Sequence, residues 1–319
     1  MGIRNDSVVT IDCHYGGEGY TSAYLVVENG RAAFVDTNTA HALPYLLGAL
    51  DAAGIARDAV DYVIVTHIHL DHAGGAAPLM KACPNATLIC HPRAARHLAN
   101  PRRLVAAVKQ IYGDEVFDRL YGTIEPIEES RIRSVADDET MAFGARTLRF
   151  VHTLGHASHH ICIHDSGSNG VFTGDSFGLY YEWMTVDPER PFIMCLSTPT
   201  EFDALEARRS VERLLALNAE RAYAGHFGEL RGMRTAAPTL LYTIDAFERI
   251  QHDASETDLD DSGLLHFCQE RVERVAWEVC RRCGVEPAQQ HQVRLAGDVL
   301  INARGLAHNA HKLRGARAG

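Results

Sequence analysis

The chain contains no apolar run approaching the roughly eighteen residues that a membrane-crossing helix needs. Its opening, MGIRNDSVV, has no basic stretch leading into an apolar core. Neither a membrane span nor an export signal is therefore expected, and the cytoplasm is the expected location. Paired cysteine spacings are scarce as well. The eight cysteines stand at 13, 83, 90, 162, 195, 268, 280 and 283, several of them inside apolar runs where a reduced thiol packs as a small hydrophobe. That scatter excludes a disulfide framework. Cys280 and Cys283 form one CxxC, and His308 and His311 follow downstream. No second tight pair stands nearby and CRRC falls inside an expected helix, so packing rather than a zinc knuckle is expected.

Positive charge is the other shortage. The chain has 31 Lys and Arg against 41 Asp and Glu, a formal charge of −10. From Arg231 onward 12 basic residues balance 12 acidic ones, so the whole excess falls on the first 230 residues. An acidic surface repels phosphate backbones, and no basic clamp is visible, so nucleic acid is not an expected partner. With 319 residues and a hydrophobic content of 46%, the chain can bury a substantial core as one large domain plus a smaller one.

What stands out against this background is Asp61 to Gly75, DYVIVTHIHLDHAGG. Tyr62 to Val65 is a short, β-branched apolar run that reads as a buried strand. His67, His69, Asp71 and His72 follow within a few residues, too many polar groups for a core. Burying them without partners would cost several kcal/mol, and a cation supplies the missing partner. Past the end of a strand, alternate residues point the same way. His67 and His69 can thus share one ion, while Asp71 and His72, at the turn into a helix, can face a second. Gly74 and Gly75 would let the backbone bend close to the metals.

This stretch resembles the HxHxDH motif of the metallo-β-lactamase superfamily. Three further ligands of that family's pattern follow in order: His156 in TLGHASHH, Asp175 in FTGDS and His226 in YAGHFG. Asp36 resembles the Asp of the family's DTG motif, with Asn38 where Gly is usual. Asn also accepts the left-handed conformation, so the turn is expected to persist. The resemblance covers about residues 20 to 230. It implies an α/β fold, an αββα metallo-β-lactamase sandwich, with a small C-terminal helical extension. The expected division is a catalytic domain over 1–230 and a helical domain over 231–319.

The element pattern in chain order is compatible with that fold. Ser7 to Asp36 reads as three strands with a hairpin turn at Asn29-Gly30. His41 to Gly54 reads as a helix ending at the glycine, Ala76 to Cys83 as another, and Thr87 to Cys90 as a strand. His91 to Tyr121 reads as helical segments broken at Pro101 and Gly113, with His91 and His97 as packing or surface residues. Glu125 to Asp138 reads as a charged loop, Glu139 to His152 as two strands, and Asn169 to Thr173 as another strand. Phe177 to Thr200 is an aromatic loop in which the hydroxyl of Tyr180 or Tyr181 either donates to an oxyanion or merely packs. Glu201 to Asn218 reads as a helix with Asp203 at its cap, and Arg221 to Ala224 as the strand that delivers His226. Pro238 to Gln251, Ser262 to Cys283 and Gln292 to Asn309 read as helices, with a frayed basic tail from Arg304.

The resemblance further implies His67, His69 and His156 on one divalent metal ion, Asp71, His72 and His226 on a second, and Asp175 bridging. Asp71 and Asp175 are the expected catalytic carboxylates. Zinc is the expected ion, with iron or manganese compatible with the same donors. A metal-bound hydroxide would attack a small ester, thioester or lactone, making the chain a binuclear metal-dependent hydrolase. His69 stands where di-iron, oxygen-reducing relatives carry Glu, but an iron-dependent redox enzyme resembling persulfide dioxygenases shares the ligands and is the alternative. The placement of the helical extension resembles that of glyoxalase II, without that family's basic substrate-binding pattern. The expected partner is a small-molecule substrate, with homo-oligomerisation left open.

Overall fold

A computed structural model describes residues 7–197, 201–286 and 288–318. The opening MGIRND and residues 198–200, where the aromatic loop ends, lie outside the described residues. The chain divides into two compact units: 1–152 with 159–174 and 219–229, and 153–158 with 175–218 and 230–319.

The first unit is built on two sheets. One contains β1 (Val8–Asp12), β2 (Ser22–Glu28), β3 (Arg31–Val35), β4 (Val60–Ile64), β5 (Thr87–Cys90) and β6 (Ile132–Ser134), side by side in sequence order. β2 and β3 form the expected hairpin. Glu28 opposes Arg31, and Asn29 and Gly30 take φ of 50° and 76°, the left-handed pair that a two-residue turn requires. From β3 to β6 the strands run parallel. Parallel strands need crossovers, and the helices Leu43–Ala53, Ala76–Ala82 and Pro92–Ala99 lie in those connections.

Because side chains alternate across a strand, β2 and β3 feed two cores at once. Leu25, Val27, Ala32 and Phe34 pack with Leu46, Leu50 and Leu79 of the helices. Tyr24, Val26, Ala33 and Val35 instead join Phe143, Phe150, Ile163 and Phe172 of the second sheet. That sheet includes β7 (Thr140–Phe143), β8 (Arg146–His152), β9 (Ile161–Asp165) and β10 (Gly170–Gly174), with the strand Arg221–Ala224 parallel to β10. Between the sheets sits a buried ion cluster. Arg146, 4% exposed, donates to Glu28 Oε2 and to Asp165 Oδ2, each at 2.7 Å.

One local expectation needs correction here. Glu125 to Asp138 is not all loop: β6 closes the parallel edge, and three residues of low burial leave too little pattern to read. Gly74 and Gly75 are hemmed in by backbone: a Cβ on Gly75 would sit 2.4 Å from Thr37 O, and one on Gly74 2.4 Å from Leu70 O and 3.2 Å from Thr39 Cα.

The second unit is mainly helical. Asp203 caps the helix Ala204–Ala216, accepting from Glu206 N at 3.0 Å, as expected. A two-residue ladder pairs Leu179–Tyr180 with Ile193–Met194. Three long helices follow: Met233–Ser255, Asp261–Arg282 and Gln289–Ala318. The first begins five residues before Pro238, which lies inside it rather than opening it. The basic tail from Arg304 is helical rather than frayed. Arg314 ties it down, donating to Leu259 O at 2.7 Å, Ala254 O at 3.0 Å and Thr257 Oγ1 at 2.6 Å. Among the described residues no helix is long and apolar enough to cross a membrane.

Candidate metal centre

Asp36 organises the histidine-rich turn. It follows β3, takes a left-handed φ of 58° and is 3% exposed. Its carboxylate accepts Thr66 N at 2.7 Å and lies 2.9 and 3.0 Å from the Thr66 hydroxyl. It also lies 2.8 Å from His72 Nδ1. A carboxylate only accepts, so His72 carries its proton on Nδ1 and presents the Nε2 lone pair. The Thr66 hydroxyl gives its proton to Asp36 and therefore accepts from His67 Nδ1, 3.0 Å away. His67 is thus oriented the same way, with Nε2 2.9 Å from His69 Nδ1. One buried carboxylate sets the tautomers of His67 and His72.

Asp71, His72 and His226 converge within the first unit, their ligand atoms within 4.8 Å of one another. Asp71 Oδ2 is 3.6 Å from His226 Nε2 and 3.9 Å from His72 Nε2. These separations are long for hydrogen bonds. They approach the edge of about 3.4 Å expected of a tetrahedron with metal–ligand bonds of about 2.1 Å, so the donor set suits a divalent cation. Asn38, left-handed at φ 53° as expected, does more than turn the chain. Its Nδ2 donates to Asp71 O and to Thr21 Oγ1, both at 3.0 Å, which fixes the backbone at Asp71. The His226 loop is cradled from β2: Tyr24 donates to Ala224 O at 2.5 Å, and Ser22 N to Gly225 O at 2.9 Å. Neither role carries a recognisable spacing in the sequence.

In the second unit His156 and Asp175 face each other. His156 Nε2 lies 3.3 Å from Asp175 Oδ2, and both side chains are buried. His156 Nδ1 is 3.2 Å from Leu196 O. A carbonyl only accepts, so Nδ1 is the protonated nitrogen here too. The same turn contains a GxSxG pattern, Gly174 to Gly178, but no helix follows Ser176 as in a nucleophile elbow, and its hydroxyl donates to Thr153 O at 3.1 Å.

Four further histidines fall into two groups. His159 and His160 stack on His67, with ring centroids 6.2 and 4.8 Å away, and so line the ligand turn. His91 and His152 are structural. His91 caps the helix Pro92–Ala99 by accepting Arg93 N at 3.0 Å, and its ring lies 4.2 Å from that of His152. Burial first, then the neighbouring His152 and His159, pushes the His91 imidazole down to about 4. Cys280 and Cys283 are buried, and Cys283 Sγ contacts Pro191 O at 3.1 Å, consistent with packing. Tyr181 is fully buried and its hydroxyl donates to Asp298 Oδ2 at 3.1 Å, so it packs.

Comparison with known proteins bears on this geometry. The family model described as Metallo-beta-lactamase superfamily matches residues 16–226. ST1585, a metallo-beta-lactamase fold-containing protein of Sulfurisphaera tokodaii, is 26% identical over 140 residues, covering 43% of this chain and 52% of that protein. A protein of Emericella nidulans named atrochrysone carboxyl ACP thioesterase is 28% identical over 161 residues, covering 50% of this chain and 41% of its own length. The chain spans about half the length of the curated relatives it matches. The crystal structure of ST1585 aligns with a TM-score of 0.65 at 18% identity, covering 94% of this chain and 98% of that one. A metallo-beta-lactamase family protein of Thermus thermophilus, TTHA1429, aligns at 0.63 and 20% identity, covering 97% and 93%. These structures share the fold.

Proposed function

This chain belongs to the metallo-β-lactamase superfamily, and from that premise we propose that it is a binuclear metal-dependent hydrolase acting on a small ester, thioester or lactone. The observation that carries the reading is the convergence of His226, far along the chain, with the adjacent Asp71 and His72 on one point of the first unit, backed by a buried carboxylate that fixes the His72 tautomer. We assign His67, His69 and His156 to one ion, Asp71, His72 and His226 to another, and Asp175 to both. When bound, such a pair supplies Lewis acidity and a water whose pKa is lowered toward neutrality.

The chain's own groups do the rest. Asp36 holds protons on His72 Nδ1 and, through Thr66, on His67 Nδ1, leaving both Nε2 atoms for a cation. Leu196 O does the same for His156. Asp71 and Asp175 would offset the charge of bound cations, and Asp175 has two carboxylate oxygens with which to do so. Zinc fits these donors, as do iron and manganese. The thioesterase name of the Emericella nidulans relative supports an acyl thioester among the substrates. The end of the family match at 226 supports a catalytic domain over 1–230 and a helical domain over 231–319. A cytoplasmic location belongs to the same reading, and homo-oligomerisation stays open.

Lactones, glutathione and other acyl thioesters, and phosphodiesters, each assayed with zinc, manganese and iron forms, test it. Metal-dependent hydrolysis of an acyl substrate is the expected result. Oxygen consumption by the iron form with no hydrolysis would instead favour the redox alternative.

A further inference from the structure

The three C-terminal helices follow the last ligand in sequence, yet one of them reaches a ligand through buried hydrogen bonds. Asn302, on the helix Gln289–Ala318, has no exposed surface. Its Oδ1 accepts Ser197 N at 2.7 Å, and the Ser197 hydroxyl lies 3.0 Å from that Oδ1 and 3.1 Å from the Asn302 carbonyl. Its Nδ2 donates to Asp298 O at 2.9 Å, one turn back on the same helix, which fixes the amide's orientation. Ser197 is fully buried, and its nitrogen belongs to the peptide whose carbonyl is Leu196 O. That carbonyl receives His156 Nδ1.

The neighbouring backbone is pinned from a second helix. Cys195 N donates to Thr243 Oγ1 at 3.0 Å, and the Thr243 hydroxyl donates to Leu240 O at 2.7 Å. Upstream in the same loop Tyr181 is anchored to Asp298, one turn before Asn302. The loop 181–197 is therefore held by Asp298 and Asn302 of one helix and by Thr243 of another. The aim of the Leu196 carbonyl is set by that grip.

We propose that Asn302 is a positioning residue for His156: through Ser197 it orients the Leu196–Ser197 peptide so that Leu196 O holds His156 in the tautomer and rotation that present Nε2. The helical extension is then part of the metal centre's support rather than an appendage. A peptide free to rotate would present its N–H in place of its carbonyl, and His156 would lose both its proton acceptor and its fixed ring plane. This inference rests on the reading of His156 as a ligand.

The test is a zinc titration of metal-stripped, full-length protein against a chromophoric chelator, giving two stepwise dissociation constants. Four proteins are compared: the unaltered chain, Asn302→Leu, His156→Ala and the double variant. Removing an outer partner of a ligand typically weakens metal binding about 10- to 100-fold. Asn302→Leu is expected to weaken one site by that factor and leave the other within about twofold, and to add no further loss to His156→Ala, since its effect passes through that imidazole. Unchanged constants in Asn302→Leu beside a lowered melting temperature would reduce Asn302 to packing and overturn the proposal. So would an equal further loss in the double variant. If His156→Ala alone changed neither constant, His156 would not be a ligand and both readings would fall; if only Asn302→Leu were silent, this inference alone would fall. Should Asn302→Leu not fold, Ser197→Ala removes the hydroxyl half of the bridge but keeps the N–H donor. A several-fold weakening at one site then supports the proposal, and no change overturns it.

Discussion

Replacing Asp36 by Asn tests how a single buried carboxylate governs the ligand turn. The two side chains have the same shape, and Asn tolerates the left-handed φ of 58° about as well as Asp, so the backbone is not strained. Oδ1 can still accept Thr66 N, now at 2.7 Å, and the Thr66 hydroxyl. The change is confined to the other atom. Where Oδ2 now stands 2.8 Å from His72 Nδ1, the variant places an NH2 group, and two donors cannot face each other. His72 must move its proton to Nε2, the atom that points toward Asp71 3.9 Å away. A protonated Nε2 cannot bind a cation. Loss of an outer-shell partner commonly weakens a site about 10- to 100-fold, equivalent to about 1.4 to 2.8 kcal/mol.

The assay is a zinc titration with a competing chelator, alongside thermal melting of the metal-free protein. One affinity should fall by that factor while the metal-free protein melts within a few degrees of the unaltered chain. Asp36→Ala should do more damage, because it also strands two donors of Thr66 at a buried site, each costing about 1–3 kcal/mol. Full, unweakened binding of two ions by Asp36→Asn would refute the tautomer argument.

Further perturbations probe other parts of the fold. His91 is held near 4 against an ordinary value of 6.5, so the unfolded chain binds its proton first. Its neutral form contributes stability that is intact above about 6.5 and is lost as pH falls toward 4. His91→Asn keeps a helix-capping acceptor without a titrating ring, so its denaturant midpoint should fall less steeply over that window; an identical slope would contradict this. Arg146→Met leaves Glu28 and Asp165 buried without their cation and should cost about 3–5 kcal/mol in urea unfolding, whereas a loss under about 1 kcal/mol would show the cluster to be dispensable. Tyr24→Phe removes the hydroxyl that holds Ala224 O beside His226. It should weaken zinc binding several-fold with little change in melting temperature, and an unaltered titration would dismiss the cradle.

Much of this was legible in the sequence because it is local. Asn29-Gly30, the glycine-terminated helix before β4, Asp203 at the cap of Ala204–Ala216 and the breaks at Pro101 and Gly113 are each fixed by the chemistry of one or two residues, and each occurs as read. The first four proposed ligands stand out in the sequence because histidine and aspartate at such density have few other uses, and the other three through the family resemblance alone. What escaped is non-local. Asn38 holding Asp71, Tyr24 holding Ala224 and Asn302 holding Ser197 join residues far apart in the chain, and an Asn or Tyr in an apolar stretch gives no sign of its partner. The pairing of Arg146 with Glu28 and Asp165 was hidden for the same reason, since a charge on a strand reads as a solvated face until the second sheet covers it. The helix around Pro238 was misjudged because proline is a common first residue of helices, whereas here the helix begins five residues earlier.

In the proposed centre the chain holds two cations that share Asp175. Metal content of the purified protein, measured by elemental analysis after exhaustive dialysis and again after reloading with zinc, is the most direct test. Two ions per chain are expected, at most one in Asp175→Ala, with acyl hydrolysis that appears only with the loaded protein. A chain that binds no ion, or an Asp175→Ala variant that retains two, would contradict it.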